Sequence, residues 1–291
     1  MNKCGFILID KPEGITSFQV ISRLRKITAI KKIGHTGTLD PFATGLLPVC
    51  LGSATRLASF VSSAKKTYIA KIRFGSKTDT GDITGKITSS LPLPQITNPR
   101  IKKCISSILD LTHQTPPPYS AIKVNGKRSY ELARNGKIPD LKPRPIKIYD
   151  FRIISFSETE LSYQTTVSKG TYIRTLSEYF AQLLDTYAYT VSLSRIKIDR
   201  ISLEKAVKLS EITTENWQRF LISPSEIIIL PQLIISEPEA TRFSLGNFIK
   251  VGFRSENKFL VVSNDNSHTF GVGSVLPNGL LKPDIVLHNC L

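Results

Sequence analysis

Cysteine is scarce in this sequence and widely scattered, at Cys4, Cys50, Cys104 and Cys290, with no C-x-x-C pair. That spacing argues against structural zinc and against a dense disulfide scaffold, and it leads to the expectation of an intracellular protein with reduced thiols. Histidine is equally thin: His35, His113, His268 and His288 offer no metal-ligand spacing. Long hydrophobic runs are missing too. The opening "MNKCGFILIDKPEG" holds a short apolar run before charges and proline, too short for a secretory signal. "IIILPQLIIS" from Ile227 is broken by Pro231 and Gln232, well short of the ~20 residues of a membrane span. The expectation is a soluble, cytoplasmic protein with no membrane partner.

Acidic residues are also in short supply. Asp and Glu total 23 against 39 Lys and Arg, a formal charge of +16. An excess of that size repels itself in the compact state unless a polyanion sits against it, which makes nucleic acid the first partner to consider. The 41% of apolar residues is enough for a real core. The 291 residues suit one large domain or a main domain with a smaller appendage.

Along the chain, Thr16 and Gln19 have the spacing of a capping box and open a helix with Val20, Leu24 and Ile27 on one face. Arg23, Arg25, Lys26, Lys31 and Lys32 bring positive charge to its end. "KTYIAKIRFG" alternates, so Tyr68, Ala70, Ile72 and Phe74 share one face of a strand. "GSKTDTGDITG" reads as a structured turn, since Asp79 and Asp82 lack the remaining ligands of a calcium loop. "IKKCISSILDL" predicts a short helix burying Ile101, Ile105, Ile108 and Leu109. The proline- and glycine-rich stretch that follows predicts a long exposed segment with one short helix at "SYELAR". A strand through Val167, a glycine turn and a helix carrying Leu176, Phe180, Leu183 and Leu184 come next, with Tyr172 and Arg174 at the junction. "TVSLSRIKID" predicts a strand and "ISLEKAVKLSEI" a short helix; from about Leu230 the short runs "FIKVG", "KFLVVS" and "TFGVGSVL" predict a small all-β appendage.

The stretch "KKIGHTGTLDPFATGLLPVC" holds the residue that calls for chemistry. An Asp before Pro in a glycine-rich loop is commonly a turn former. No G-x-x-x-x-G-K-[ST] pattern explains the glycines by a nucleotide, and no Ser-His-Asp elbow is present. A carboxylate in a strongly basic chain, with candidate arginine and tyrosine partners elsewhere, fits covalent catalysis by Asp40.

"GHTGTLDPFATGLLPVCLG" resembles the signature loop of the TruB family of tRNA pseudouridine-55 synthases. The resemblance continues in order through "DKPEGITS", "KTYIAKIRFGSKTDTGDITG", "QTPPPYSAIKVNGKRSYELARNG", "SKGTYIRTL" and "VSLSRIKI", covering nearly all of residues 5–200. It implies an α/β (α+β type) fold: a mixed, mainly antiparallel sheet flanked by helices, with a central RNA-binding cleft. It also implies a catalytic domain over residues 1–229, a thumb-like RNA clamp within it at 115–144, and a PUA-like β domain at 230–291. The implied activity converts uridine to pseudouridine in the tRNA T-loop by base flipping, with no cofactor and no metal. Asp40 resembles the family aspartate, which attacks C1′ or C6 or deprotonates the sugar, and Arg174 its cationic partner. Tyr68 is similar to the tyrosine that stacks on the flipped uracil and can take the C5 proton. Tyr172 and Leu193 correspond to residues lining the base pocket, and His35 to one that enters the RNA to support flipping. Lys11 matches a motif lysine grouped with the substrate site, where it shapes the loop. Lys123, Lys127 and Arg128 belong to the thumb.

The partner so implied is the tRNA T stem-loop, bound by a monomer that needs no protein subunit. Two other readings compete. Guide-RNA-dependent synthases of the dyskerin type share the catalytic loop, but the long thumb favours the stand-alone enzyme. A non-catalytic tRNA-binding or RNA-folding protein would not need Asp40, Tyr68 and Arg174 together.

Overall fold

The computed structural model describes residues 3–290 apart from 125, 138, 256, 266, 267 and 289. Asn125, in the first of the expected N-G turns, therefore lies outside the described residues. In chain order the principal elements begin with β1 (Gly5–Lys11), α1 (Ser17–Thr28), β2 (Ile33–His35), β3 (Thr44–Leu51) and β4 (Lys66–Phe74). The middle of the chain holds α2 (Asn98–Leu109), α3 (Ser129–Arg134), β5 (Ile148–Phe156), β6 (Glu160–Val167), α4 (Ile173–Gln182) and β7 (Ala188–Ile198). Then come β8 (Val207–Lys208), β9 (Gln232–Ile234), α5 (Glu237–Ser244), β10 (Ile249–Lys250), β11 (Lys258–Val262), β12 (Thr269–Val275) and β13 (Leu280–Val286). The architecture is mixed α/β with mainly antiparallel strand pairing, as expected. Among the described residues no helix is long and apolar enough to cross a membrane.

The chain divides into two compact units. One comprises Met1–Pro41, Gly45–Ser63 and Ile201–Leu291, the other Phe42–Thr44 and Ala64–Arg200. In the second unit β5, β6, β4 and β7 form consecutive antiparallel pairs. The period-2 pattern of β4 buries Tyr68, Ala70, Ile72 and Phe74 and leaves Ile69 and Arg73 exposed. α2 starts on a Thr97 cap and buries Ile101, Cys104 and Ile108; Leu109, expected inside, is 42% exposed because Cys104 takes the inward face. α3 forms at "SYELAR", and Val167 ends a strand as the alternation indicates.

In the first unit β1 pairs antiparallel with β3, which in turn pairs with β2. α1 opens on the capping box read from the sequence, with both Thr16–Gln19 bonds present. The expected helix at "ISLEKAVKLSEI" is not formed. Val207 and Lys208 instead pair parallel with Ile9 and Asp10 of β1, between single 3-10 turns, because the open edge of β1 offers a ladder to a β-branched residue. The C-terminal sheet has the order β9-β11-β12-β13-β10. It is not all-β as expected. α5 inserts between its first two sequence strands, opened by a Ser236–Glu239 capping box with proline in its first turn, and packs Ala240 and Phe243 against Ile249, Val261 and Leu281.

The expectation of reduced thiols is also corrected. Cys4 and Cys290 are joined in a disulfide between the two ends of the chain, which no local spacing could signal. Cys50 and Cys104 are free and buried. Burial pushes the Cys50 thiol up to about 12, so it remains an inert core group.

Candidate active site

Asp40 lies in the loop after β2, half-buried between buried Leu39 and exposed Pro41. Both neighbours are clamped. The Ser17 hydroxyl, at the start of α1, accepts from the Leu39 N–H at 3.0 Å and donates to the Leu39 carbonyl at 3.2 Å. The Pro41 carbonyl accepts from the Gly14 N–H at 2.8 Å and from the Lys11 ammonium at 3.2 Å. Lys11 is fully buried at the end of β1. Its ammonium also donates to the carbonyls of Pro12 at 2.9 Å and Ile15 at 2.8 Å. An ammonium is costly to bury unless its donors are met, and here backbone carbonyls meet them. The "DKPEGITS" and "GHTGTLDP" stretches therefore form one device that fixes the backbone on either side of the carboxylate.

His35 ends β2, and its Nδ1 accepts from the Gly37 N–H at 3.3 Å. The next residue is held as well, its Thr36 N–H donating to the Pro48 carbonyl at 3.1 Å.

The second unit carries Tyr68, Tyr172, Arg174 and Leu193. Tyr68 is 8% exposed on β4, in register between Thr165 of β6 and Arg195 of β7, and Leu193 lies opposite Ala70. Tyr172 precedes α4 with an extended backbone. Its N–H donates to Gln114 Oε1 at 2.7 Å, and its carbonyl accepts from Gln114 Nε2 at 3.0 Å. This two-point grip makes Gln114 a positioning residue that the sequence reading missed.

Arg174 is 3% exposed in the first turn of α4. Its Nη1 donates to the Thr80 carbonyl at 2.5 Å and lies 3.5 Å from Asp82 Oδ2, while Nη2 donates to the Tyr119 carbonyl at 2.8 Å. A cation is unfavourable near the positive end of a helix dipole; the Asp82 carboxylate offsets that cost. Asp82 is itself fixed, its Oδ1 accepting from the Thr80 hydroxyl, the Thr84 N–H and the Thr84 hydroxyl. The turn around Asp79 and Asp82 is structured, as expected, and it also supplies a partner to Arg174. Gly81 completes it at φ +72°, where a Cβ would come within 2.6 Å of Glu178 Oε1. Burial raises the Glu178 carboxyl, opposed by the nearby Arg174 and Lys77 cations.

Lys66, at the start of β4, is held down to about 8 by burial and by the positive charges of Arg195 and Lys169. Below that pH it is charged folded or unfolded. Between about 8 and its ordinary value of 10.5 the unfolded chain binds the proton and the folded chain does not, so stability rises with pH across that window. Thermal melts from pH 8 to 10 should show this rise, and Lys66→Met should flatten it. Parallel pH dependences for the two proteins would contradict the assignment.

Lys123, Lys127 and Arg128 are exposed on a two-residue strand pair, with Lys123 directly opposite Arg128. The Arg128 guanidinium is anchored on the Ala121 carbonyl at 3.1 Å. Like charges placed opposite each other are destabilising by themselves, an arrangement suited to a polyanion.

The fold is shared, at a TM-score of 0.71 and 19% identity, with a chain of a solved H/ACA RNP bound to a substrate RNA containing 2′-deoxyuridine; the match covers 98% of this chain and 85% of that one. A family model described as TruB family pseudouridylate synthase (N terminal domain) matches residues 25–173. The protein is thus a pseudouridine synthase. Curated relatives carry the match across the rest of the chain. The tRNA pseudouridine synthase B of Aquifex aeolicus is 36% identical over 287 residues, 97% of this chain and 99% of the relative. That of Bacillus cytotoxicus is 35% identical over 300 residues, 98% and 97% respectively. The chain belongs to the TruB family of pseudouridylate synthases.

Proposed function

We propose that the protein isomerises uridine to pseudouridine at position 55 in the T-loop of tRNA, with Asp40 as the reacting group. The observation that carries this reading is the double clamp on Leu39 and Pro41, which holds a carboxylate in place within a strongly basic chain. Such pre-positioning is what a reacting group needs. The tRNA substrate is that of the named relatives.

In the reaction the bond from ribose C1′ to N1 breaks, the base turns, and C1′ rejoins it at C5. The C5 proton leaves and N1 gains one, so atoms balance with no net oxidation. Attack at C1′, attack at C6 and removal of a sugar proton all demand an ionised Asp40. Tyr68 stacks on the base, Tyr172 and Leu193 line its pocket, and His35 supports the flipped state. The thumb residues Lys123, Lys127 and Arg128 grip the stem, and the C-terminal sheet adds RNA contacts as a PUA-like domain.

The reading is tested by incubating the protein with an unmodified tRNA transcript and mapping pseudouridine by carbodiimide-adduct stops in primer extension. One new stop at position 55 is expected; a stop elsewhere, or none, overturns it. Tyr68 gives a finer test. Phenylalanine keeps a stacking face whose removal costs about 1–3 kcal/mol per base, so Tyr68→Phe should bind tRNA like the wild type and Tyr68→Leu should bind more weakly. Equal and severe losses of rate in both, with binding intact, would assign the hydroxyl a proton-transfer role in place of stacking.

A further inference from the structure

One end of the sheet in the second unit gathers charge that the reading above leaves unassigned. Ile148, Val167, Lys66 and Ile198 stand in one row across β5, β6, β4 and β7. The residues beside that row, Lys147, Lys169, Lys65 and Lys197, are all exposed at the same sheet end. The edge ladder breaks there, passing from Ile148 opposite Val167 to Asp150 opposite Thr166, and leaves Tyr149 as the extra residue of a β-bulge. Bulges re-aim side chains. Tyr149 is 50% exposed, with the Lys147 ammonium 5.3 Å and the Lys65 ammonium 6.0 Å from its ring centroid.

The position is built into the fold. The Lys147 N–H donates to Ser168 Oγ at 2.9 Å, and its carbonyl accepts from the Ser168 N–H at 2.9 Å, tying Lys147 to the turn that leads to Tyr172 and Arg174. The Lys65 carbonyl accepts from the Asp199 N–H at 2.9 Å. The acidic side chains nearby in the chain are Asp150, which follows Tyr149, and Asp199, which follows Ile198. An exposed aromatic face among cations matches the way proteins hold unpaired nucleotides, whose bases have a free π-face; the stacked bases of a duplex do not. Lysine over an exposed ring is a weak contact in water, so both ammonium groups are available to move to a phosphate.

We infer that Tyr149, Lys65 and Lys147 form a subsite for an unpaired nucleotide of the substrate RNA. Its base stacks on the Tyr149 ring, and its phosphate lies between the two ammonium groups. The inference rests on the RNA-modifying reading above and adds a binding position outside the residues assigned to the reaction.

The test measures binding of an unmodified tRNA transcript, a short oligouridylate and a duplex RNA to the full chain and to Tyr149→Ala, Tyr149→Phe and Lys65→Ala/Lys147→Ala. Tyr149→Ala should weaken oligouridylate binding by about 5- to 100-fold and leave duplex binding unchanged; Tyr149→Phe should restore it. The double lysine variant should lower the salt slope for oligouridylate by roughly 0.7 for each phosphate that is no longer neutralised. Tyr149→Ala binding oligouridylate like the wild type, in a variant whose melting curve is unaltered, overturns the subsite. So does an equal loss on duplex RNA. If wild type forms pseudouridine in tRNA while Tyr149→Ala binds normally, the subsite alone falls. If wild type forms none while Tyr149→Ala still loses oligouridylate, the tRNA reading alone falls.

Discussion

Asp40→Asn should abolish pseudouridine formation, by a factor on the order of 10⁴ or more in turnover, while leaving affinity for tRNA and thermal stability close to wild type. The amide fills the space of the carboxylate but is neither a nucleophile nor a base. The clamps that hold the loop act on the backbone of Leu39 and Pro41, so the substitution leaves them in place. Release of tritium from transcripts carrying 5-tritiated uridine measures the chemistry directly, because the C5 hydrogen must leave whichever route begins the reaction. A variant retaining a tenth of the wild-type rate would remove Asp40 from the reacting role.

The second large effect is expected in stability. Arg174→Ala should cost about 3–5 kcal/mol, since it leaves the Asp82 carboxylate buried without the guanidinium beside it. Adding Asp82→Asn removes that stranded charge, so the double variant should be more stable than the sum of the two single losses indicates, by about 0.5–3 kcal/mol. Arg174→Lys should fall between wild type and alanine. A single ammonium lacks the planar fork that reaches the Thr80 and Tyr119 carbonyls together. Urea unfolding of the four proteins decides the matter: strictly additive losses would mean that the pair contributes no coupling and that Arg174 is held by its carbonyl partners.

What could be read in advance follows the range of the interactions involved. Tyr68, Ala70, Ile72 and Phe74 announced their strand because a half-buried strand has period two, and Thr16 with Gln19 announced a helix start because a capping box is local. Ser236, Pro238 and Glu239 carried the same kind of local signal for α5, but strand-like neighbours outweighed it. Val207 illustrates the opposite failure: helical spacing yielded to a partner strand nearly two hundred residues earlier. For the candidate site, the residue types were visible and their supports were not. The grip of Gln114 on Tyr172, of Asp82 on Arg174 and of Lys11 on Pro41 are tertiary contacts between stretches that look unrelated in sequence.

The clamp around Asp40 also bears on the timing of order. The Leu39 amide is bonded to Ser17 Oγ and the Gly14 amide to the Pro41 carbonyl, partners that both belong to the protein itself. Both protons should therefore exchange with deuterated solvent slowly in the free protein, through openings that part α1 from the loop, and binding of substrate should slow them little further. Slow exchange would mean that Asp40 stands in a frame already fixed, and that the ordering required on encounter falls to the nucleic acid.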